Sequence, residues 1–237
     1  MNRYFLIFGL VILLSFSVRC NKNKDPNDSK DELTILYIGD ERIFHQDYWG
    51  MEASFLIFSP LASYAGPYNQ EIHPILAESW THSEDYKTWT VKLREDIYWH
   101  DGVQMTSEDI KFTIDLRNEV PASRMIINCE VIDDFSFRFI FDKPISEIPT
   151  WEVYYPKHLL KNLDPSKYYS WDFWLQPIGN GPYKFVRNMP KAMVEVKSNP
   201  DFVGGEPKIK KVIKYRTMEA RKNAVSEKSA KFVSVLS

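Results

Sequence analysis

Five histidines, two cysteines and a scatter of acidic side chains are the residues of this 237-residue chain whose types could do chemistry. His45, His73, His82, His100 and His158 are the candidate metal ligands. None lies three or four positions from another and no cysteine pair joins them, so no ligand set is gathered, and no metal or other cofactor is expected. Glu78, Glu84, Asp85, Asp96, Asp101, Glu108 and Asp109 could supply the paired carboxylates of glycoside hydrolysis, but solvation and helix capping explain them with fewer assumptions. The strings G-x-S-x-G, H-E-x-x-H and G-x-x-x-x-G-K-[ST] do not occur, which removes the usual nucleophile elbow, zinc-protease helix and phosphate loop. No residue is nominated as catalytic. Tyr168, Tyr169, Trp171, Phe173 and Trp174 could stack a sugar or a peptide. Core packing is their expected role, because such side chains are mostly buried. Cys129 is expected to be a small buried hydrophobe rather than a reactive thiol.

The elements that would hold these residues are legible in part. Residues 88–94 alternate, with Trp89, Val91 and Leu93 on one face and Thr88, Thr90, Lys92 and Arg94 on the other. Phe135, Phe137, Phe139 and Phe141 alternate with Ser136, Arg138 and Ile140 in the same way. Between these strands Thr106 can cap a helix with Asp109 in capping-box position, and Ile110/Ile114 and Phe112/Leu116 repeat at helical spacing. Residues 183–186 and 193–197 read as a hairpin around a turn at 187–191, and 208–216 as an alternating strand with Ile209 and Ile213 on one side. Residues 33–38 are apolar on both faces, as in a strand inside a sheet. Residues 47–58 read as a helix stopped by Ser59-Pro60, 63–74 and 199–207 as loops, and 219–231 as a helix. Strands interspersed with helices predict an α/β (mixed α+β) protein with mixed sheets. The balance of 30 Lys+Arg against 32 Asp+Glu provides no basic stripe, so nucleic acid is not an expected partner.

The N-terminus reads as an address. Residues 4–18 are almost wholly apolar, with Arg3 before them and Arg19-Cys20 after, and the run falls short of the roughly 20 residues that cross a bilayer. Cys20 is the candidate lipidation site of a bacterial lipoprotein signal, although Arg19 stands where such a signal usually has a small residue. Acyl chains contribute about 0.8 kcal/mol per buried methylene, enough in multiples to tether a domain. A cleaved soluble export signal and an uncleaved anchor are the alternatives. With Cys20 lipidated, Cys129 has no partner for a disulfide within the chain.

Several stretches, in order, resemble one family. They are Leu76-Ala77-Glu78-Ser79-Trp80, then Tyr86-Lys87-Thr88-Trp89-Thr90-Val91-Lys92-Leu93-Arg94 running into His100-Asp101-Gly102-Val103-Gln104-Met105-Thr106-Ser107-Glu108-Asp109-Ile110. Pro156-Lys157-His158, Pro177-Ile178-Gly179-Asn180-Gly181-Pro182-Tyr183-Lys184-Phe185 and Asn199-Pro200-Asp201-Phe202 follow, with Gly204-Gly205 and Pro207-Lys208-Ile209-Lys210-Lys211-Val212 after them. Together these resemble the family-5 extracellular solute-binding proteins of ABC importers, the oligopeptide-, dipeptide- and nickel-binding type. Asp101, Gly102, Gly181, Pro182 and Tyr183 read as the family's structural motif, with Asp101-Gly102 a turn and Gly181 a backbone conformation only glycine tolerates.

The resemblance implies a class II periplasmic-binding-protein-like lobe with an inserted α+β subdomain. Residues 1–20 would be the signal, 21–32 a flexible spacer, 33–59 and 177–237 the two parts of the first lobe, and 60–176 the subdomain. Such proteins are usually about twice as long, so the chain is expected to be truncated or split before its second lobe, leaving an exposed strand edge. The implied function is non-catalytic capture of oligopeptides or dipeptides, with Gln46, Asp47, Tyr48 and Trp49 as cleft candidates. The implied partners are a peptide or other small solute, an ABC permease in the inner membrane, the membrane through a lipid anchor, and a separately encoded C-terminal half. The implied location is outside the inner membrane, periplasmic or cell-surface. The alternatives are a lipid-anchored interaction protein that reuses the lobe without binding solute, and, behind it, an enzyme.

Overall fold

A computed structural model describes residues 32–36, 51–66, 69–120, 127–150, 152–215, 217, 219–220 and 223. Among them the order is β1 (Glu32–Leu36), α1 (Met51–Ile57), β2 (Ala62–Gly66), β3 (Asn69–Pro74), β4 (Ala77–His82), β5 (Thr88–Leu93), α2 (Ser107–Glu119), β6 (Ile127–Asp133), β7 (Ser136–Phe141), α3 (Lys157–Leu160), β8 (Tyr183–Met189), β9 (Met193–Ser198) and β10 (Lys211–Tyr215). Two 3-10 turns, Pro165–Ser170 and Asp172–Leu175, lie between α3 and β8.

Period-two patterning builds the first large sheet, which is antiparallel in the order β4-β5-β7-β6. Trp89 stands opposite Phe139 and Val91 opposite Phe137. All four are buried, with Leu93 and Phe141 beside them. Phe137, Phe139 and Phe141 meet edge-to-face, with ring centroids 4.9 and 6.1 Å apart. Burying each ring stabilises the fold by about 1.5–3 kcal/mol, so this face outweighs the other. The opposite face carries exposed pairs, Lys92–Glu78 at 2.7 Å and Arg138–Glu130 at 3.8 Å, each worth about 0–1 kcal/mol. Helix α2 buries Ile110, Ile114 and Leu116 and packs on β6. Its start is the expected one: Thr106 is the N-cap, and its backbone N–H donates to Asp109 Oδ2 at 2.9 Å.

The second large sheet joins distant parts of the chain in the order β1-β10-β9-β8. Here β1 runs parallel to β10, and the β10–β9 and β9–β8 pairs are antiparallel. One apolar core runs through both sheets, from Phe137 and Phe139 through Ile57, Tyr155 and Trp174 to Val194, Val196 and Val212.

Several expectations are corrected. Residues 63–74 are not a loop: β2 and β3 pair as an antiparallel hairpin, with Ala62 opposite Pro74. Gly66 and Pro74 there stand at strand ends, where a missing proline N–H costs no ladder bond. The later hairpin has longer arms than the sequence predicts, with β8 reaching Met189 and β9, which starts at Met193 as expected, ending at Ser198. Strand β10 starts at Lys211 and does not alternate, since Val212, Ile213 and Lys214 are all buried. Strand β1 lies at the sheet edge among the described residues rather than inside it, with β10 alone beside it. Of the helix expected over 219–231, only Glu219, Ala220 and Asn223 are described, and all three are helical.

Candidate functional site

The family-motif residues lie at or beside one junction, residues 177–182, which leads from the 3-10 turns into β8 of the second large sheet. Gly181 N–H donates to the Ile57 carbonyl at the end of α1, 2.7 Å away. Ser59 N–H donates to Asn180 Oδ1 at 2.9 Å, and Asn180 Nδ2 lies 3.1 Å from Met105 Sδ. Asn199, just beyond β9, donates its backbone N–H to the Pro182 carbonyl at 2.8 Å and its Nδ2 to the Gly181 carbonyl at 3.1 Å. The junction therefore ties α1, the 98–104 turn, and the β8–β9 arm into one unit.

Glycine at 179 and 181 follows from that close approach. A Cβ on Gly181 would lie 2.6 Å from the Ile57 carbonyl carbon and 2.8 Å from Phe58 N. A Cβ on Gly179 would overlap the Ile57 carbonyl oxygen. Neither residue is among the positive-φ glycines, so the reading of Gly181 as a conformation only glycine tolerates is corrected: contact, not torsion, excludes a side chain. Gly102 is the opposite case, with φ +88° and open space around it. It makes the tight turn in which Gly102 N–H donates to the Trp99 carbonyl and Trp99 N–H to the Val103 carbonyl, both at 2.8 Å.

His100 sits in that turn and grips the crossing from the other side. Its N–H donates to the Gly179 carbonyl at 2.7 Å, and Gly179 N–H returns a bond to His100 Nδ1 at 3.2 Å. His100 Nε2 lies 3.2 Å from the Gly181 carbonyl. Burial holds the imidazole pKa at about 4, well below its usual value. Asp101 Oδ2 faces His158 Nε2 at 2.8 Å, tying the turn to α3. Asp109 is buried and accepts from Lys157 N–H at 2.8 Å as well as from Thr106, so its capping role extends to holding α3 in place. Desolvation raises its pKa against the pull of these donors. Tyr183 starts β8 and is buried.

Other candidates are scaffold. Cys129 is buried and its thiol pKa is pushed up to about 12 by desolvation, which makes it a poor nucleophile. Tyr168, Trp171 and Trp174 are buried; Tyr168 and Trp174 pack on Tyr155, with Tyr155 and Trp174 rings 5.2 Å apart at 75°, and Trp171 packs on Tyr168 and Trp174. Only Tyr169 of the cluster is largely exposed, so the stacking-platform reading does not hold for the others. No group of three or more His, Cys, Asp or Glu that could hold a metal occurs among the described residues. Cys20 and the cleft candidates Gln46, Asp47, Tyr48 and Trp49 lie outside the described residues. Sequence reasoning missed a buried ion pair, Arg117 Nε to Glu152 Oε1 at 3.2 Å, with side chains 9% and 2% exposed. Beside it the Tyr154 hydroxyl is buried without a hydrogen-bond partner among the described residues. No local pattern marks that pair, because its members lie on separate elements.

Residues 71–235 match the family described as bacterial extracellular solute-binding proteins, family 5 Middle. The chain belongs to that family. Within it, a putative ABC transporter peptide-binding protein of Brucella ovis is 34% identical over 173 residues, covering 66% of this chain and 33% of that protein. NikZ from Campylobacter jejuni, solved in complex with Ni(L-His), superposes with a TM-score of 0.70 at 27% identity over 84% of this chain and 42% of that one. The oligopeptide-binding protein AppA from Bacillus subtilis, solved with a nonapeptide, shares the fold with a TM-score of 0.71 at 20% identity, over 83% of this chain and 42% of that one. This family-5 chain thus spans a third to under half of the length of these relatives.

Proposed function

We propose that this chain is part of the substrate-binding component of an ABC importer for oligopeptides or dipeptides, and that it captures solute without transforming it. The observation that carries the reading is the superposition on NikZ over 84% of the chain, together with the family match over 71–235. The junction supports it from the inside: its residues fix backbone and bury side chains, as a receptor scaffold requires. Sheet membership supports a division into a first lobe of residues 33–59 and 177–237 and a subdomain of residues 60–176, because β1 pairs with β10 across the whole of the intervening chain. Residues 1–20 would act as a lipoprotein signal with Cys20 as the anchor, and 21–32 as the spacer that lifts the domain from the membrane.

Because the matched relatives are about twice as long, this chain would supply one wall of a solute cleft, with Gln46 to Trp49 at its edge. The opposing wall, separately encoded or contiguous, would complete the grip, and the closed form would dock on an inner-membrane permease. Uptake of labelled di- to pentapeptides by cells with and without the gene tests the reading. Loss of uptake that is restored by the gene supports it, and equal uptake in both strains contradicts it.

A further inference from the structure

His100 uses both ring nitrogens on one backbone crossing, which a turn residue chosen for shape alone does not need. We infer that His100 is a proton-sensitive clamp: its neutral ring holds the Gly179–Gly181 crossing against the 98–104 turn, and a proton on Nδ1 releases the Gly179 end. The inference stands independently of the solute-receptor reading.

The hydrogen bonds fix the tautomer. Gly179 N–H donates to Nδ1 at 3.2 Å, so that nitrogen presents its lone pair and the ring proton sits on Nε2, donating to the Gly181 carbonyl at 3.2 Å. An imidazolium has no acceptor. Protonating Nδ1 turns the Gly179 contact into two donors facing each other, and because Gly179 is buried its amide is left as a costly unsatisfied donor. The Gly181 end would survive, because Nε2 still donates. The release is therefore one-sided, at the point where Gly179 also accepts from the His100 amide at 2.7 Å.

The surrounding charges do not favour the proton decisively. On the turn, Asp101 draws a proton toward the ring, but its Oδ2 is engaged by His158 Nε2 of α3 at 2.8 Å. From β8, Lys184 opposes the proton, and its own partner is the exposed Asp201 at 3.2 Å. From the end of α1, only the uncharged Ile57 and Ser59 bond to the crossing. Burial outweighs these and keeps the ring neutral until about pH 4. An imidazole freed from the clamp titrates at about 6.5. The released form therefore binds a proton that the clamped form does not between about pH 6.5 and 4, and the clamp weakens by up to about tenfold per pH unit as pH falls through that window. Above it, clamping is fully present.

Ring-nitrogen NMR of the histidines, with amide exchange of Gly179 and Gly181 corrected for intrinsic rate, tests this on the full chain between pH 7.5 and 4. The expected result is an Nε2–H tautomer at neutral pH, titration of His100 more than one unit below the ordinary value, and Gly179 protection that drops with pH faster than that of Gly181. His100→Asn, which offers an acceptor but does not titrate, should make Gly179 protection independent of pH. An Nδ1–H tautomer, an ordinary His100 titration, or Gly179 protection indifferent to pH would each overturn the clamp. If the variant does not fold, the wild-type ring titration and Gly179 exchange decide alone.

Discussion

Gly181→Ala should lower stability by about 3 kcal/mol or more, a large share of the roughly 5–15 kcal/mol of an ordinary domain. The added methyl would sit 2.6 Å from the Ile57 carbonyl carbon and 2.7 Å from its oxygen, which are backbone atoms at the end of α1 and cannot rotate away. Relief requires moving α1 or the crossing, and either movement breaks the 2.7 Å bond from Gly181 N–H to the Ile57 carbonyl. Two other glycines calibrate the argument. At Gly204 the same methyl would meet the Phe202 ring at 2.6 Å, a side-chain edge beside an exposed residue, so Gly204→Ala should cost under about 1 kcal/mol. At Gly102 nothing crowds the position but φ is +88°, so Gly102→Ala should cost about 1–2 kcal/mol through backbone strain alone. Urea unfolding of the three variants gives the ranking. Near-wild-type stability of Gly181→Ala would mean that the crossing does not press on α1 as described.

Glu152→Gln should cost about 3–5 kcal/mol, because it leaves the Arg117 guanidinium charged in a site where its side chain is only 9% exposed. Arg117→Met should cost a similar amount by stranding the Glu152 carboxylate, which is 2% exposed. The pair Arg117→Met with Glu152→Leu should recover most of the loss, since two apolar side chains of similar volume need no compensation for desolvation. The double-mutant cycle in urea separates the interaction from the desolvation of each partner. The pair fastens the C-terminal end of α2 to the segment carrying Tyr154 and Tyr155, so its loss should also expose the aromatic cluster. If each single variant costs under about 1 kcal/mol, the pair acts as a solvated contact instead.

What the sequence makes legible depends on how far apart the deciding residues are. Trp89, Val91 and Leu93, and Phe137, Phe139 and Phe141, reveal their strands because one face of the sheet is packed and the other is wet, which writes a period of two into the chain. The same signal lies in Ile127, Cys129 and Val131, which alternate with Asn128 and Glu130 along β6. Thr106 and Asp109 reveal the start of α2 because a capping box is local. The 63–74 segment misleads because its turn-forming residues suggest a loop throughout, whereas Gly66 and Pro74 stand at the ends of two short paired strands. The junction is illegible for a different reason. His100 meets Gly179 and Gly181 from 79 and 81 positions away in the chain, and the need for glycine there comes from the end of α1 rather than from any neighbour in sequence. The motif residues are visible in the sequence, but not the contact that requires them. The cleft candidates Gln46, Asp47, Tyr48 and Trp49 remain an inference from resemblance.

As proposed, the chain contributes one wall of a two-walled solute receptor. Isothermal titration calorimetry of the purified chain with di- to pentapeptides tests it most directly. No saturable binding tighter than about 1 mM, a free energy near 4 kcal/mol, is expected, because a single wall cannot enclose the ligand. Micromolar binding with one site per chain would contradict it.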